Sequence, residues 1–461
     1  MDRITGVSDV FPGPVLEALR AAPDRPAIQI GARTVTRGEL LDLVGRFVTG
    51  LRAADLGPGS GVGMVLPLTP EAYAVHLAAH ALGCRVAAAR PGWSAAQLDH
   101  GLRGAVDTVV TDARLETLPA DRASDIPVLG GPDDIARLTY TSGSTGLPKA
   151  CAHTYRAISL AYQPAHWPPP LAELLTGFGR CLVLENLAGP VMFTYLGRCL
   201  VAGGTAVLSD GSPVPELIER HRITATMMPP ARLQQLLETG ADLRTLRAVV
   251  LGGSPAGPHL LRTATSRLGS ILWQGYGQAE AGVIAMLTPD DLAAGRDTTV
   301  GRPLPAVEVD IRSDEIWVRS PHLMRGYWND PEQTGEVLRD GWLHTRDLGH
   351  FDVDGYLYLT GRARDVIMVN AEVCYAGAIE RVLAGHPDVA QAYVVGAPDQ
   401  VTGEAIHAFV VPADGRAPDG AELIALVRGA LSANSVPSTV NVIKEVPLST
   451  SGKPDKRALL G

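Results

Sequence analysis

Short apolar strand patterns alternate with helix patterns through the first 130 residues and again after residue 180. The segment GVGMVLPL (61–68) is typical of a buried strand, TPEAYAVHLAAHALG (69–83) of a helix that ends at a glycine, and CRVAAA (84–89) of the next strand. Strands that are joined by helices form βαβ units, in which the strands run parallel. The sequence therefore predicts an α/β fold built mainly on parallel sheets.

The pattern changes in the last third of the chain. The segments AVEVDIRSDEIWVRSP (306–321), GYWND (326–330) and GHFDVDGYLYLTG (349–361) alternate at a period of two, as β-hairpins do, and a mixed α+β pattern follows. A chain of 461 residues also exceeds the usual size of a single hydrophobic core. We therefore expect a large N-terminal domain over residues 1–363 and a small mobile C-terminal domain over residues 364–461.

The composition is that of a globular protein and excludes several classes. The chain has 46% hydrophobic residues and a formal net charge of −9, which gives no general attraction to nucleic acid or anionic membranes. No apolar run reaches about 20 residues, and the N-terminus lacks the pattern of a signal peptide. The five cysteines form no CxxC pair, as expected for buried free thiols of a cytosolic protein. We expect a cytoplasmic protein without nucleic-acid or membrane partners.

The stretch LTYTSGSTGLPKA (138–150) concentrates small hydrogen-bond donors in one loop. Its glycines let backbone N–H groups approach a ligand closely, and concave arrays of such donors bind phosphate. The spacing differs from that of the P-loop motif, because only two residues separate Gly146 from Lys149 and one of them is Pro148. We therefore predict a phosphate-binding loop of another kind. Its candidate binding residues are Thr141, Ser142, Gly143, Ser144, Thr145, Gly146 and Lys149.

Lysine is rare in this chain, and its positions are informative. Of the 40 lysines and arginines only four are lysines, and three of these, Lys149, Lys453 and Lys456, lie in two motif-like segments. A lysine ammonium is a compact charge suited to a phosphate oxygen, whereas an arginine guanidinium is a planar fork. We therefore expect the lysines of the loop and of STSGKPDKRAL (449–459) to be functional.

These segments resemble the ordered motifs of the adenylate-forming superfamily, which includes acyl-CoA synthetases, peptide-synthetase adenylation domains and luciferases. The resemblance continues from the loop through LGGSPAG (251–257), QGYGQAEAG (274–282), HTRDLG (344–349) and GRARDVI (361–367) to the C-terminal lysine segment. It implies an enzyme that uses ATP and Mg²⁺ to activate a carboxylate as an acyl-adenylate, with release of pyrophosphate. The protein would position the reactants and neutralise charge on the α-phosphate and the leaving group.

The resemblance also implies roles for individual residues around the nucleotide. Tyr276 would stack on adenine, and Asp347 and Arg362 would face the ribose hydroxyls. Glu280 would help to bind Mg²⁺ and is, with Thr141, a candidate catalytic residue. The remaining nucleotide-binding candidates are small residues of two turns beside adenine, namely Gly252, Gly253, Ser254, Gly275 and Gly277.

The small domain would complete this site. Lys453 matches the family's catalytic lysine, which would bridge the α-phosphate and the acyl oxygen only when the small domain closes over the large one. Arg364 falls at the family's hinge position. The resemblance therefore implies one active site in two halves, joined by a hinge near residue 364.

The chain departs from its family's pattern beside these residues. The loop lysine is followed by Ala150 where the family usually has glycine, and Ala279 stands where a threonine usually precedes the Mg²⁺-binding glutamate. Arg346 stands where a glycine usually precedes the ribose-facing aspartate. Ala279 removes one hydroxyl from the phosphate side, so we expect an atypical member of the superfamily.

The segment LVLENLAGPVMFTY (182–195) falls where the family separates the acyl pocket from ATP, and it contains no histidine. Pro190 lies near the position of the aspartate that grips the α-amino group in peptide-synthetase domains, which argues against a standard α-amino acid substrate. Glu185 and Asn186 are polar in an otherwise apolar segment, and with Gly189 they are candidate pocket residues. The alternative is that the two polar side chains form a turn or a cap.

Two changes in the small domain concern the acceptor of the acyl group. The family usually has a lysine, and three residues later a glycine that lets a pantetheine thiol enter, where this chain has Met368 and Ala371. The added methyl group of Ala371 would narrow that path, which favours an acceptor other than CoA in the usual pose. A CoA thiol, a carrier-protein thiol and an amine all stay open.

Three functions follow from these observations. The first is an ATP-dependent ligase that activates a small carboxylate, aromatic ones included, and transfers it to a thiol or an amine in specialised biosynthesis. The second is a diazotase-type enzyme that uses ATP to couple nitrite to an aryl amine. The third is a non-catalytic relative that binds nucleotide or a partner, against which Lys453, Asp347 and Glu280 argue.

Overall fold

The computed structural model describes residues 9–90, 92–117, 121, 123, 125–142, 148–363, 365–413, 416–448 and 454–460. The strands within these residues form four sheets of nine, six, five and five strands. The first two sheets are mainly parallel and belong to a large N-terminal domain, and the last belongs to a smaller C-terminal domain. This arrangement confirms the α/β fold class that the sequence predicts.

The strands are mostly short, as is usual in sheets that are crossed by helices. Numbered along the chain, they are β1 (Pro26–Ile30), β2 (Arg33–Thr36), β3 (Gly61–Val65), β4 (Arg85–Ala88), β5 (Thr108–Thr111), β6 (Ile135–Ser142), β7 (Pro148–Thr154), β8 (Arg180–Val183), β9 (Thr205–Leu208), β10 (Ala225–Met228), β11 (Ala248–Leu251), β12 (Leu272–Gln278), β13 (Gly282–Leu287), β14 (Arg302–Pro303), β15 (Glu308–Arg312), β16 (Glu315–Arg319), β17 (Gly326–Tyr327), β18 (Leu338–Arg339), β19 (Trp342–Phe351), β20 (Leu357–Arg362), β21 (Val366–Val369), β22 (Glu372–Tyr375), β23 (Val389–Asp399), β24 (Gly403–Pro412) and β25 (Thr439–Val442). The longest pair, β23 with β24, belongs to the small domain.

The helices begin where the sequence supplies capping residues or prolines. Thr36, Thr69 and Ser94 each accept a backbone N–H from the first turn of the helix that follows. The helices are α1 (Gly13–Arg20), α2 (Arg37–Ala53), α3 (Pro70–Ala81), α4 (Ala95–Leu102), α5 (Asp112–Thr117), α6 (Tyr155–Ser159), α7 (Pro169–Thr176), α8 (Pro190–Val201), α9 (Val214–His221), α10 (Pro230–Glu238), α11 (Pro258–Leu268), α12 (Pro289–Ala293), α13 (Pro331–Val337), α14 (Ala376–Ala384) and α15 (Gly420–Ala430).

The nine-stranded sheet has the order β14-β13-β12-β11-β10-β8-β9-β1-β2. Its strands from β12 to β1 pair in parallel, and β2, β13 and β14 pair antiparallel at the two edges. Because the carboxyl ends of parallel strands meet at one edge of a sheet, the residues that follow β11 lie beside the end of β12.

The six-stranded sheet has the order β17-β7-β6-β4-β3-β5. The period-two pattern alone groups GYWND (326–330) with the later hairpins, and this grouping is wrong. Gly326 pairs with Ala152 and Tyr327 with Cys151, so β17 extends the sheet that carries the predicted phosphate loop. The pairing brings Tyr327 to the loop from a distant part of the chain.

The largest apolar core fills the space between the two mainly parallel sheets. Helices α2 and α3 contribute Phe47 and Tyr73, α8 contributes Phe193, and the strands contribute side chains such as Val62 and Cys181, all nearly or fully buried. Packing of this kind holds the sheets in fixed relation. It therefore also fixes the loop hairpin of one sheet relative to the strand ends of the other.

The C-terminal sheet has the order β22-β21-β24-β23, with β25 parallel to β24. Helices α14 and α15 bury Ile379 and Leu423 against it. The turn between β21 and β22 holds Asn370 and Ala371 at φ +52° and +61°, a region that favours glycine and tolerates asparagine. Ala371 therefore sits in a strained position at the tip of this hairpin.

Two further expectations concern the cysteines and the length of the helices. All five cysteines are buried free thiols, as the sequence predicts. Among the helices that the structure describes, none is both long enough and apolar enough to cross a membrane.

Candidate active site

The predicted phosphate loop lies between β6 and β7, which pair as an antiparallel hairpin. Thr141 lies directly opposite Lys149 in this pairing. The tip of the loop, Gly143, Ser144, Thr145 and Gly146, lies outside the described residues. The hairpin thus brings the first and the last candidate residues of the loop side by side at its base.

The ammonium group of Lys149 contacts two residues that the sequence patterns did not single out. Its Nζ donates to Oε1 of Gln333 in α13 and lies 5.6 Å from the ring centroid of Tyr327 in β17. A cation near an aromatic face is attracted by the negative charge density of the ring. These two contacts orient Lys149 at the base of the loop.

Glu280 lies in the turn between β12 and β13 and contacts the same tyrosine. The hydroxyl of Tyr327 donates to Oε1 of Glu280 at 2.9 Å, and the backbone N–H of Met324 donates to the Glu280 carbonyl oxygen at 2.8 Å. Burial, and then the negative charge of Glu280, raise the pKa of Tyr327, so its phenol stays a neutral donor. Tyr327 therefore joins Lys149 and Glu280 in one cluster.

Glu280 suits a cation that is shared with phosphate. Within the residues that the structure describes, no three His, Cys, Asp or Glu side chains form a group that could hold a metal. Mg²⁺ in nucleotide sites is usually bound by one or two carboxylates together with substrate phosphates. A single carboxylate beside a phosphate loop fits that pattern of ligands.

Asp347 lies at the centre of a buried hydrogen-bond network. Its Oδ2 accepts hydrogen bonds from the hydroxyl of Tyr276 at 2.7 Å and from Nε2 of Gln278 at 2.6 Å. Its Oδ1 accepts from Nε of Arg362 at 2.8 Å. Asp347 is only 3% exposed, so these donors offset much of the cost of burying its charge.

Strand pairing explains how the network forms. Asp347 in β19 and Arg362 in β20 are direct antiparallel partners, whereas Tyr276 comes from β12 of the nine-stranded sheet. The backbone N–H of Asp347 donates to the hydroxyl of Thr345 at 3.1 Å, which fixes the strand at this point. The charge of Asp347 raises the pKa of Arg362, and burial raises the pKa of Tyr276. The structure thus brings the three predicted nucleotide-facing residues together.

The glycine turns beside Tyr276 are not tightly packed at Gly252 and Gly275. A methyl group added at Gly252 would come no closer than 3.7 Å to the carbonyl oxygen of Gly275, and one added at Gly275 no closer than 3.9 Å to Val283. Gly253 has a φ of +87°, which favours glycine, and Ser254 follows it. At Gly252 and Gly275 the surrounding protein would therefore tolerate a side chain, so internal packing does not account for these two glycines.

Gly277 has a different reason to be glycine. A methyl group there would lie 2.2 Å from the carbonyl oxygen of Gly282, across the β12–β13 hairpin. A contact this short would force the two strands apart. Close backbone packing therefore accounts for this residue without any ligand.

The candidate pocket residues have partners within the protein. Nδ2 of Asn186 donates to the Leu66 carbonyl oxygen at 2.7 Å, and its Oδ1 accepts from the Ala188 N–H at 2.7 Å, which is the turn and cap role. Burial lowers the pKa of Arg90, and the charge of Glu185 partly opposes that effect. Gly189 is the N-cap residue of α8. Of the two polar side chains, Glu185 keeps the stronger case for a pocket role.

Lys453 and Arg364 lie outside the described residues, but their neighbours are described. Nζ of Lys456 pairs with Oε1 of Glu380 at 2.6 Å and lies 3.7 Å from Oδ2 of Asp365. This lysine therefore has a structural partner and ties the C-terminal segment to α14 and to the residue after the expected hinge. The assignments of Lys453 as the catalytic lysine and Arg364 as the hinge stay predictions, as does the domain boundary at residue 363.

The two mainly parallel sheets, the loop hairpin and the small α+β domain define an adenylate-forming enzyme. The sequence model described as AMP-binding enzyme matches residues 15–328, and the one described as AMP-binding enzyme C-terminal domain matches residues 378–453. The chain belongs to the AMP-binding enzyme family, as its motifs predict. It is an ATP-dependent, AMP-forming ligase that uses Mg²⁺.

Several relatives match the chain over nearly its full length. The amide bond synthetase McbA of Marinactinospora thermotolerans has a TM-score of 0.84 and 35% identity, covering 96% of this chain and 98% of that one. The o-succinylbenzoate CoA synthetase of Bacillus subtilis, in complex with its acyl-adenylate intermediate, has a TM-score of 0.81 and 27% identity, covering 97% and 98%. A feruloyl-CoA synthase of Amycolatopsis sp is 33% identical, covering 94% of this chain and 95% of the relative.

Sequence reasoning missed Tyr327 and Gln333. Tyr327 lies in DEIWVRSPHLMRGYW (314–328), which resembles the family's stretch before its final hairpins but gives the tyrosine no role, and Gln333 follows that stretch. Tyr327 lies in a two-residue strand, and the sequence does not reveal the pairing partner of this strand. Contact with Lys149 appears only once β17 is placed beside β7.

Proposed function

We propose that this enzyme activates a small aromatic carboxylate as its acyl-adenylate and transfers the acyl group to an amine. The observation that carries the proposal is the placement of three functional side chains around one strand end. Tyr276, Gln278 and Glu280 follow one another at the end of β12, with Asp347 bonded to the first two and Tyr327 to the third. One short segment thus connects the ribose-facing network with the phosphate-facing cluster.

We assign the residues of the large domain as follows. Asp347 accepts hydrogen bonds from the ribose hydroxyls, with Arg362 beside it, and the adenine ring lies against Gly252 and Gly275. Lys149 and the loop hold phosphate oxygens. Glu280 would hold Mg²⁺, which would supply positive charge to the phosphates.

The chemistry then needs two displacements. A carboxylate oxygen of the substrate attacks the α-phosphorus, and pyrophosphate leaves with the charge that Lys149 and the loop donors stabilise. In the second step the amine nitrogen attacks the acyl carbon, AMP leaves, and the nitrogen gives up a proton. Lys453, brought in by the small domain, neutralises the α-phosphate and the acyl oxygen in the first displacement.

An amine acceptor is supported by the hairpin at Ala371 and by one relative. The methyl group of Ala371 stands at the tip of β21–β22, where the superfamily's glycine would leave a path for a thiol, and its φ of +61° is strained. The structurally similar McbA is an amide bond synthetase. A thiol acceptor is supported by the similarity to CoA ligases, so the two must be compared in one experiment.

The test is product analysis with MgATP and a panel of aryl, fatty and amino-aryl acids. Each acid is offered with an amine panel, with CoA, and with neither, and an aryl amine is offered with nitrite. We expect an acyl-adenylate from an aryl acid, and an amide formed faster than a thioester. If the thioester forms faster than the amide, the proposal that the acceptor is an amine is wrong. ATP consumption that needs nitrite and an aryl amine, and no acid, would establish the diazotase function instead.

A further inference from the structure

Arg346 occupies a backbone conformation that normally favours glycine. Its φ is +61°, and the residues on either side are fixed, because the Thr345 hydroxyl donates to the Ile316 carbonyl oxygen and the Asp347 N–H donates to that hydroxyl. The Arg346 carbonyl oxygen also accepts from the Ala363 N–H at 2.9 Å. Glycine would adopt this conformation without strain, whereas arginine does so at a cost. The contacts of the Arg346 side chain can offset part of that cost.

The Arg346 side chain points toward the cluster around Lys149. Its Nη2 pairs with Oε2 of Glu336 in α13 at 2.8 Å. Gln333, the partner of Lys149, lies three residues earlier in α13, so both partners lie on one face of the helix. The positive charge of Arg346 also lowers the pKa of Tyr327 against the larger effects of burial and of Glu280. Arg346 and Lys149 thus each have a partner in α13, and each acts electrostatically on Tyr327.

The partners of Arg346 do not hold it strongly. Its side chain is 20% exposed, but that of Glu336 is 53% exposed, and ion pairs with one such solvated partner contribute little. A guanidinium suits phosphate oxygens well, because its planar fork can donate two parallel hydrogen bonds. Exchange of the Glu336 carboxylate for a phosphate is therefore favourable.

We propose that Arg346 is a second protein cation for the β- and γ-phosphates of ATP and for the leaving pyrophosphate, held by Glu336 until nucleotide binds. The proposal rests on the proposed ATP site, and it adds a substrate-binding residue that is specific to this chain. Lys149 and Arg346 then share the charge of the leaving group. Glu336 acts as a competing anion.

The test measures binding of magnesium pyrophosphate and MgATP to the full-length enzyme by calorimetry. Arg346→Gly should relieve the backbone strain, keep the fold, and weaken pyrophosphate binding about tenfold at low ionic strength. The loss should shrink as salt is added. The matched control is Arg222→Gly, because Arg222 is an exposed arginine with a φ of +50° at the end of α9. The control should bind pyrophosphate as the wild type does.

A second variant should change the affinity for pyrophosphate in the opposite direction. Glu336→Gln removes the competing anion and should tighten pyrophosphate binding in the wild type, but it should have no effect in the Arg346→Gly background. In turnover assays Arg346→Gly should raise the KM for ATP and leave the KM for the acid unchanged. If Arg346→Gly binds pyrophosphate as the wild type does, or if Glu336→Gln has equal effects in both backgrounds, the role of Arg346 is refuted and the proposed ATP site is not affected. A wild-type enzyme that binds neither MgATP nor pyrophosphate would overturn the ATP site as well.

Discussion

Replacing Asp347 by asparagine tests the ribose contact with little change in side-chain volume. Asp347 accepts three hydrogen bonds, at 2.7 Å from Tyr276, 2.6 Å from Gln278 and 2.8 Å from Arg362. An asparagine has one carbonyl oxygen, which accepts, and one NH₂ group, which donates. Because all three partners of Asp347 are donors, the NH₂ group must face at least one donor without a hydrogen bond. The substitution therefore removes a charge and at least one hydrogen bond.

The orientation of the new amide sets the cost in stability. The Arg362 side chain is 61% exposed, so water can replace its lost partner, whereas the donors of Tyr276 and Gln278 are more enclosed. The amide nitrogen should therefore face Arg362. The expected loss is about 1–2 kcal/mol in the free energy of unfolding, since an ion pair whose arginine is solvated contributes little and a lost hydrogen bond to a charged group about 1.5 kcal/mol.

The effect on catalysis should be larger and specific for the sugar. A charge-assisted hydrogen bond from a ribose hydroxyl to Asp347 is worth about 1.5–3 kcal/mol, or roughly 10- to 100-fold in kcat/KM. The assay compares ATP with 2′-deoxy-ATP and 3′-deoxy-ATP in acid-dependent pyrophosphate exchange. The wild type should prefer ATP over at least one deoxy analogue, and Asp347→Asn should lose that preference.

The matched control is Asp310→Asn. Asp310 also pairs with an arginine, Arg312, at 2.8 Å, but it is exposed and lies on another hairpin strand. This variant should keep the wild-type preference for ATP. If Asp347→Asn keeps the preference while both variants fold, Asp347 does not contact the ribose and the assigned nucleotide orientation is refuted.

Two further predictions concern the acceptor and pH. Ala371→Gly should relieve the strain at φ +61° and raise the rate of thioester formation with CoA relative to amide formation, measured by product ratio; an unchanged ratio would show that the methyl group does not select the acceptor. Burial lowers the pKa of His153 to about 4, below its unfolded value near 6.5, so the unfolded state binds more protons below pH 6.5. Stability should thus fall from about pH 6.5 to pH 4 by up to about 1.4 kcal/mol per pH unit. His153→Gln should make the melting temperature depend less on pH in this range. His166→Gln, at an exposed histidine, should leave the pH dependence of the melting temperature unchanged.

The network around Asp347 could be predicted from sequence because its residues lie in local motifs. Tyr276 and Glu280 belong to one turn, and Asp347 and Arg362 lie in two segments that pair as neighbouring strands. Each segment has a recognisable spacing, and the order of the segments along the chain adds to the signal. The sheets themselves were predictable for a similar reason, since strand and helix periodicities are local.

The cluster of Lys149, Tyr327 and Glu280 depends on strand pairing between distant segments, which no local sequence pattern predicts. β17 is two residues long, and its partner β7 lies far from it in sequence, so the contacts of Tyr327 with Glu280 and Lys149 follow from tertiary packing. The sequence could not decide between the two roles of Asn186 either. Its side chain could bind a substrate or cap the backbone, and the carbonyl group of Leu66 to which it donates lies more than a hundred residues away in sequence.

Ala279 and Arg346 are best explained together. Ala279 removes a neutral hydroxyl from the phosphate side, and Arg346 adds a cation that reaches the face of α13 beside Lys149. Hydrogen bonds to charged groups are about twice as strong as neutral ones, so one exchange can leave ATP affinity intact. The exchange also replaces a hydrogen bond from a neutral hydroxyl, which salt does not weaken, with an ionic contact of Arg346, which salt screens. The KM for ATP should therefore rise more steeply with ionic strength in the wild type than in Arg346→Gly. Equal slopes would show that Arg346 does not compensate for the hydroxyl that is absent at Ala279.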